Sequence, residues 1–201
     1  MNRQAVHVVS TGVANVASVL AAFRRLGVDP QEIDQPEAVS AADYLVLPGV
    51  GAFAAAMQAL QTRNLVEPLR ERIRNGQPTL AICLGLQLFA AESEESPGVV
   101  GLGIWPDRVV RLHSERVPQL GWNRVEAASA SRYLESGYAY YANSYCLAAE
   151  PLGWMASWSE HDGKLVAAVE RGNILACQFH PELSGAWGEQ LLRRWLEGAK
   201  C

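Results

Sequence analysis

Pro78-Thr-Leu-Ala-Ile-Cys83-Leu-Gly-Leu-Gln87 changes from strand period to helix period within one residue of a cysteine. The short apolar run Leu80, Ala81, Ile82 has the length of a buried strand, and from Gly85 onward Leu86, Leu88 and Phe89 read as the start of a helix. Cys83 falls at the bend. A side chain on such a turn is pushed off the sheet edge toward the positive end of the following helix, where thiolate is favoured over thiol. The small Ala81 and Gly85 leave room for this nucleophile-elbow geometry, with cysteine in place of serine. Read alone, Cys83 fits a buried core position better, because cysteine is among the most buried residue types, and context must overturn that.

About a hundred residues on, Ile174-Leu-Ala-Cys-Gln-Phe-His180-Pro181-Glu182 supplies the chemical context. An apolar run after the turn Arg171-Gly-Asn173 predicts a strand that delivers His180 at its end, where Pro181 removes a ladder donor. His180 and Glu182 are two apart and share a face in extended geometry, so a carboxylate can hold one imidazole nitrogen while the other faces a thiol. Nucleophile, base and orienter are then present in the order Cys83, His180, Glu182.

The rest of the chain predicts an α/β fold. Ala5 to Val9 reads as a strand, followed after Ser10-Thr-Gly12 by a helix carrying Val16, Val19, Leu20, Phe23 and Leu26 and ending at Gly27. Asp43 to Leu47 is the next clear strand and runs into Pro48-Gly49-Val50-Gly51. Helices are expected at Phe53 to Leu60 and Leu65 to Asn75, before the elbow strand. This alternation predicts right-handed βαβ units and a parallel sheet, whose ligands gather at the C-terminal strand ends. Beyond the loop Ser93-Glu-Glu-Ser-Pro-Gly98, short strands are expected over Gly101 to Leu112, Gln119 to Val125, Gly137 to Leu147, Trp154 to Trp158 and Leu165 to Glu170, with a hairpin at His161-Asp-Gly163. Ser184 to Gly198 closes as an amphipathic helix. The expected architecture is three-layered and flavodoxin-like, with a mixed and mostly parallel sheet, flanking helices and an antiparallel extension in the second half.

Composition sets bounds. The 201 residues are enough for one sizeable core, which predicts a single domain over 1–201. Hydrophobic residues at 49% and charged at 19% indicate a globular protein, and a net charge of −4 argues against nucleic acid as a partner. No segment has the uninterrupted apolar length of a membrane span, and no basic region leads into a long apolar run, so neither membrane insertion nor secretion is expected. Cys83, Cys146, Cys177 and Cys201 lack close metal-ligand spacing, and His7, His113 and His161 form no ligand set, so no metal is expected. A cytoplasmic location would keep the thiols reduced. Cys146 and Cys177 read as strand core.

Ala81-Ile-Cys-Leu-Gly-Leu-Gln87 with Gln178-Phe-His-Pro-Glu182 resembles the signature of the class I (triad) glutamine amidotransferases. Pro48-Gly-Val-Gly-Ala-Phe53, Gly121-Trp-Asn-Arg-Val125 and Tyr140-Tyr-Ala-Asn-Ser-Tyr145 narrow the resemblance to the glutaminase subunits of imidazole glycerol phosphate synthase, of histidine biosynthesis, from about residue 5 to the final helix. The resemblance implies a glutaminase that needs no cofactor and passes ammonia to a (βα)8-barrel cyclase subunit in a heterodimer. It implies an oxyanion hole from the amides of Val50 and Leu84, and a glutamine pocket of Gly51, Gln87, Glu95, Ser144 and Tyr145. Asn15, Trp122 and Asn123 resemble residues at the cyclase interface. Two positions depart from the pattern: Ser10 stands where many relatives carry aspartate, and Asn143 where they carry histidine. A triad glutaminase serving another synthase, a cysteine hydrolase of another amide, and a catalytically silent regulatory module on the same fold remain alternatives at this level.

Overall fold

The computed structural model describes residues 5–10 and 16–199. In chain order the strands are β1 (Ala5–Val9), β2 (Asp29–Ile33), β3 (Tyr44–Leu47), β4 (Thr79–Ile82), β5 (Glu92–Ser93), β6 (Arg108–Arg111), β7 (Gln119–Val125), β8 (Gly137–Asn143), β9 (Tyr145–Cys146), β10 (Met155–Glu160), β11 (Lys164–Arg171) and β12 (Ile174–Cys177). The helices are α1 (Ala17–Arg25), α2 (Pro36–Ala41), α3 (Phe53–Thr62), α4 (Val66–Arg74), α5 (Leu84–Gln87) and α6 (Gly185–Gly198). A 3-10 turn at Pro181–Leu183 joins β12 to α6.

A seven-stranded sheet in the order β10-β11-β12-β4-β3-β1-β2 forms the middle layer. From β12 to β2 every neighbouring pair is parallel, and β10-β11-β12 is antiparallel. The parallel part, β2-β1-β3-β4-β12, has the flavodoxin-like order. Strand alternation sorts the core into two halves. Tyr44, Val46, Leu80 and Ile82 pack with Phe23 of α1 and Leu191, Leu192 and Trp195 of α6, while Leu45, Leu47 and Ala81 pack with Phe53, Met57, Leu60, Leu69 and Ile73 of α3 and α4. The three-layer expectation is borne out.

Two elements left no sequence signal. β2 reads Asp-Pro-Gln-Glu-Ile and buries only Pro30, which an edge strand tolerates because one side of its backbone faces away from the sheet. The short helix α2 buries Val39 alone. Other boundaries need correction. The expected strand Gly101 to Leu112 forms only over Arg108–Arg111, because the N–H groups of Leu102 and Ile104 donate to Leu88 and Phe89 carbonyls at 2.7 and 2.8 Å in a packed loop. The helix after Cys83 is a single turn, since the Phe89 and Ala90 N–H groups donate only three residues back, to Leu86 and Gln87 at 3.1 Å each. The run Gly137 to Leu147 breaks at Ser144 into β8 and β9, which pair with different strands.

Buried Arg72 ties the C-terminal ends of α2 and α4 to the N-terminal ends of β3 and β4. Its Nη1 donates to the Ala42 and Val39 carbonyls at 2.6 and 3.2 Å, its Nη2 to Pro78 and Asp43 at 2.8 and 3.2 Å, and its Nε to Thr79 Oγ1 at 3.2 Å. The β7-β8 ribbon stands outside the large sheet. It attaches at one end where Glu126 and Trp158 exchange main-chain hydrogen bonds at 2.7 and 2.9 Å, and along β8 where the His180 N–H donates to the Tyr140 carbonyl at 2.8 Å.

Candidate active site

β4 ends in a forced turn. Cys83 has φ 54° and ψ −108°, a conformation that a residue with a Cβ adopts only when its surroundings impose it. Its N–H donates to the Cys177 carbonyl at 2.7 Å, which pins the turn to β12. On the other side β3 presses against it: a Cβ on Gly85 would lie 2.1 Å from the Leu47 carbonyl oxygen, and one on Gly49 would lie 2.5 Å from the Gly85 nitrogen. Glycine at both positions lets the Pro48–Gly51 loop touch the elbow backbone.

The same sheet edge receives His180 from the end of β12. The three sequence-predicted groups meet there: His180 Nδ1 lies 2.8 Å from Glu182 Oε1, and His180 and Cys83 line one cleft. All three are nearly enclosed, with Cys83 6% and His180 5% exposed and the Glu182 side chain 7%. Burial alone would lower the His180 pKa, but its hydrogen bonds to Cys83 and Glu182, and their negative charge, outweigh burial and raise it to about 10. By contrast, burial pushes the Cys146 thiol up to about 11 and Cys177 well above its ordinary value, so these two remain protonated core residues as expected.

A cleft of about 320 Å³ opens over the sulfur. Val50, Gly51, Cys83, Leu84, Gln87, Glu95, Ser144, Tyr145 and His180 line it, with Ala142 in addition. Every residue named for the oxyanion hole and the glutamine pocket therefore borders one cavity. Glu95 also holds structure in place, since its Oε2 accepts the Phe53 N–H at 2.8 Å, while Ser96 Oγ accepts that of Ala54 at 3.2 Å. The carboxylate thus caps α3, directly behind the Pro48–Gly51 loop. Gln87 Nε2 donates to the Tyr145 carbonyl at 2.9 Å and to Gln178 Oε1 at 3.0 Å.

Gln178 is the residue sequence reading missed. Fully buried, it directs its Nε2 at the Cys83 sulfur from 3.7 Å. The signal was available, since a glutamine in an apolar strand two residues before His180 is a polar group needing a buried partner. A larger open groove of about 720 Å³, lined by Glu94, Arg111, His113, Ser114, Glu115 and Asp162 with Leu112, contains no cysteine. Among the described residues no group of three or more His, Cys, Asp or Glu could hold a metal ion, and no helix is long and apolar enough to cross a membrane.

Trp122 is 59% exposed on β7, edge-on to Tyr140 of β8 with ring centroids 6.2 Å apart. It is not a core tryptophan. Asn123 lies on the opposite face of the ribbon, where its Nδ2 donates to the Glu160 carbonyl at 2.8 Å. Asn15 lies outside the described residues. Ser10 follows β1 with its N–H on the Ile33 carbonyl at 2.8 Å. Asn143 is buried and donates to the Tyr145 carbonyl at 3.1 Å, beside the cleft.

Comparison with known proteins adds an independent line. Residues 8–198 match the family described as Glutamine amidotransferase class-I. The chain is 42% identical over 195 residues to imidazole glycerol phosphate synthase subunit HisH of Methanothermobacter thermautotrophicus, covering 94% of this chain and 96% of that one. It is 40% identical to subunit HisH of Thermosynechococcus vestitus, covering 98% of each. It is also 39% identical to the chloroplastic imidazole glycerol phosphate synthase hisHF of Arabidopsis thaliana, where 92% of this chain aligns with 33% of the longer protein. Among solved structures, one described as a glutamine amidotransferase superposes with a TM-score of 0.79 at 22% identity, covering 96% of this chain and 98% of that one, a likeness of fold. Sequence similarity over nearly the whole length, together with a cysteine elbow facing a His-Glu pair, leads to one conclusion: the chain belongs to the class I glutamine amidotransferases, in the family of imidazole glycerol phosphate synthase subunit HisH.

Proposed function

We propose that this chain is the single-domain glutaminase subunit of an imidazole glycerol phosphate synthase, hydrolysing glutamine to glutamate and handing the ammonia to a (βα)8-barrel cyclase for histidine biosynthesis. The observation that carries the reading is that Cys83 and His180 line one cleft, with Glu182 on the far nitrogen of the His180 ring. His180, held by Glu182, takes the Cys83 proton. The sulfur attacks the side-chain amide carbon of glutamine, forming a tetrahedral intermediate whose oxyanion is met by the main-chain N–H groups of Val50 and Leu84. His180 then protonates the departing nitrogen and ammonia leaves. Water, deprotonated by the same ring, cleaves the glutamyl thioester and returns the sulfur.

Substrate positioning falls to the cleft walls. Glu95 faces the glutamine ammonium, while Gly51, Gln87 and the main chain of Ser144 and Tyr145 border the rest of the molecule. Released ammonia would be protonated and lost in water, so the cleft must open onto the acceptor enzyme. The exposed Trp122 is the docking anchor, with Asn123 bracing the ribbon behind it. A cyclase partner is supported by the Arabidopsis protein, whose name joins two subunits in one chain. We assign the heterodimer to the cytoplasm. Glutaminase activity is low in the isolated chain and rises when the liganded cyclase reorients the Gly49-Val50-Gly51 backbone.

Co-purification with a candidate cyclase, followed by glutamate release from wild type and Cys83→Ala, tests the reading. Glutamine-dependent turnover that needs Cys83 and rises with the partner is expected. Turnover that survives Cys83→Ala overturns the triad, and full activity without partner overturns the regulation.

A further inference from the structure

We propose that Gln178 is a positioning residue for the nucleophile: its buried amide donates a hydrogen bond to the Cys83 sulfur and favours the thiolate before attack and on its return from the thioester. The inference rests on the reading of Cys83 as the nucleophile.

The direction of this bond follows from the partners of Gln87. A primary amide nitrogen has two hydrogens, and both on Gln87 are committed: one to the Tyr145 carbonyl at 2.9 Å and one to Gln178 Oε1 at 3.0 Å. A main-chain carbonyl can only accept, so the Gln87 nitrogen must face Tyr145, and the group it meets on Gln178 must be the oxygen. That leaves the Gln178 nitrogen facing the sulfur at 3.7 Å, a reach suited to the larger sulfur atom. Asn143 Nδ2 also donates to the Tyr145 carbonyl, at 3.1 Å, which holds the acceptor in place. The backbone is fixed as well, since the Gln178 N–H donates to the Ala167 carbonyl at 2.8 Å.

Position argues for function over filling. Gln178 is 0% exposed and sits between Cys177 and Phe179, both fully buried. A methionine would fill similar space without desolvating an amide, so a buried glutamine here calls for a polar reason. Its oxygen finds one in Gln87 and its nitrogen finds the sulfur. The sulfur accepts from the Gln178 amide at 3.7 Å and, as a thiol, points at the Ala142 carbonyl 4.0 Å away. A hydrogen bond to an ionised acceptor is stronger than one to a neutral acceptor, so the amide lowers the energy of the charged sulfur more than that of the thiol.

The test compares Gln178→Met, which removes both polar atoms, with Gln178→Glu, which keeps the acceptor for Gln87 and replaces the donor by an oxygen of the same shape. Cys83 alkylation by iodoacetamide is followed in the intact chain by peptide mass spectrometry from about pH 5 to about pH 10, a readout that needs no partner. In both variants the pH of half-maximal alkylation should rise by about one unit. With the partner cyclase present, kcat should fall about tenfold while KM for glutamine stays within about twofold. Should Gln178→Met fail to fold, Gln178→Glu decides alone, with its Tm as the control. Folded variants that alkylate with the wild-type pH profile overturn the proposal. If wild-type Cys83 is not alkylated, or Cys83→Ala still hydrolyses glutamine, the nucleophile reading itself fails.

Discussion

The main-chain N–H of His180 donates to the Tyr140 carbonyl at 2.8 Å, and Tyr140 is the cross-strand partner of exposed Trp122. Ser184 closes the connection, its hydroxyl donating to the His180 carbonyl at 2.6 Å and accepting the Tyr140 N–H at 2.9 Å. The imidazole is thus held by the same ribbon that presents the aromatic face, so a partner seated on Trp122 would bear on the strand that holds His180.

Trp122→Ala should therefore weaken cyclase binding by about 2 kcal/mol, roughly 30-fold in Kd. Because the side chain is exposed, Tm should hardly change. Titration calorimetry with the partner, alongside thermal unfolding of the chain alone, separates the two effects.

Glu182→Gln removes the charge that faces His180 Nδ1 and should lower kcat by about 100-fold, with the protein still folded. Steady-state glutaminase assays in the complex measure this. A variant as active as wild type would remove Glu182 from the mechanism.

His180 also links the site to pH. The fold raises its pKa from 6.5 to about 10, so the folded state binds this proton more tightly than the unfolded chain does. The resulting stability is fully present below about 6.5 and is lost as pH rises through about 10. Urea unfolding of wild type and Glu182→Gln across that window should give a difference that shrinks toward the alkaline end.

Gly85→Ala places a Cβ 2.1 Å from the Leu47 carbonyl oxygen, so the elbow must move off β3. A loss of about 2 kcal/mol or more is expected, with glutaminase activity falling further than stability. Gly163→Ala, where a Cβ would meet nothing within 4 Å, should stay within about 0.5 kcal/mol of wild type. Urea midpoints and activities of the two variants make the comparison.

Arg72→Met strips donors from the Ala42, Val39, Asp43 and Pro78 carbonyls in a buried setting. Destabilisation of about 3 kcal/mol is expected from the loss of these buried bonds, away from the cleft that holds Cys83. Denaturant unfolding measures it, and kcat of the folded fraction should match wild type.

Much of the fold was legible because local signals agreed with the tertiary result. Leu80, Ala81 and Ile82 are buried on both sheet faces, and the helical spacing of Val19 and Phe23 points both into the core. β2 was not legible, since an edge strand with one buried residue needs no hydrophobic pattern. Gly101 to Asp107 read as strand because Leu102 and Trp105 are buried, yet burial there is achieved by a loop hydrogen-bonded to the end of α5. Trp122 could not be placed from residue type alone, since a large aromatic suits core or surface, and only the position of the ribbon outside the main sheet leaves it in water.

Residue order alone determined that Cys83 and His180 stand at strand ends, because a strand-to-helix switch at Cys83 and a strand stopped by Pro181 each put a side chain at a sheet edge whatever else the chain does. It could not determine that the two edges coincide. That was decided by β12 inserting beside β4 in parallel register, with Cys177 opposite Ile82. The same pairing turned Gln178 inward to the sulfur, since a side chain's partners across strands depend on register, a property of the folded sheet.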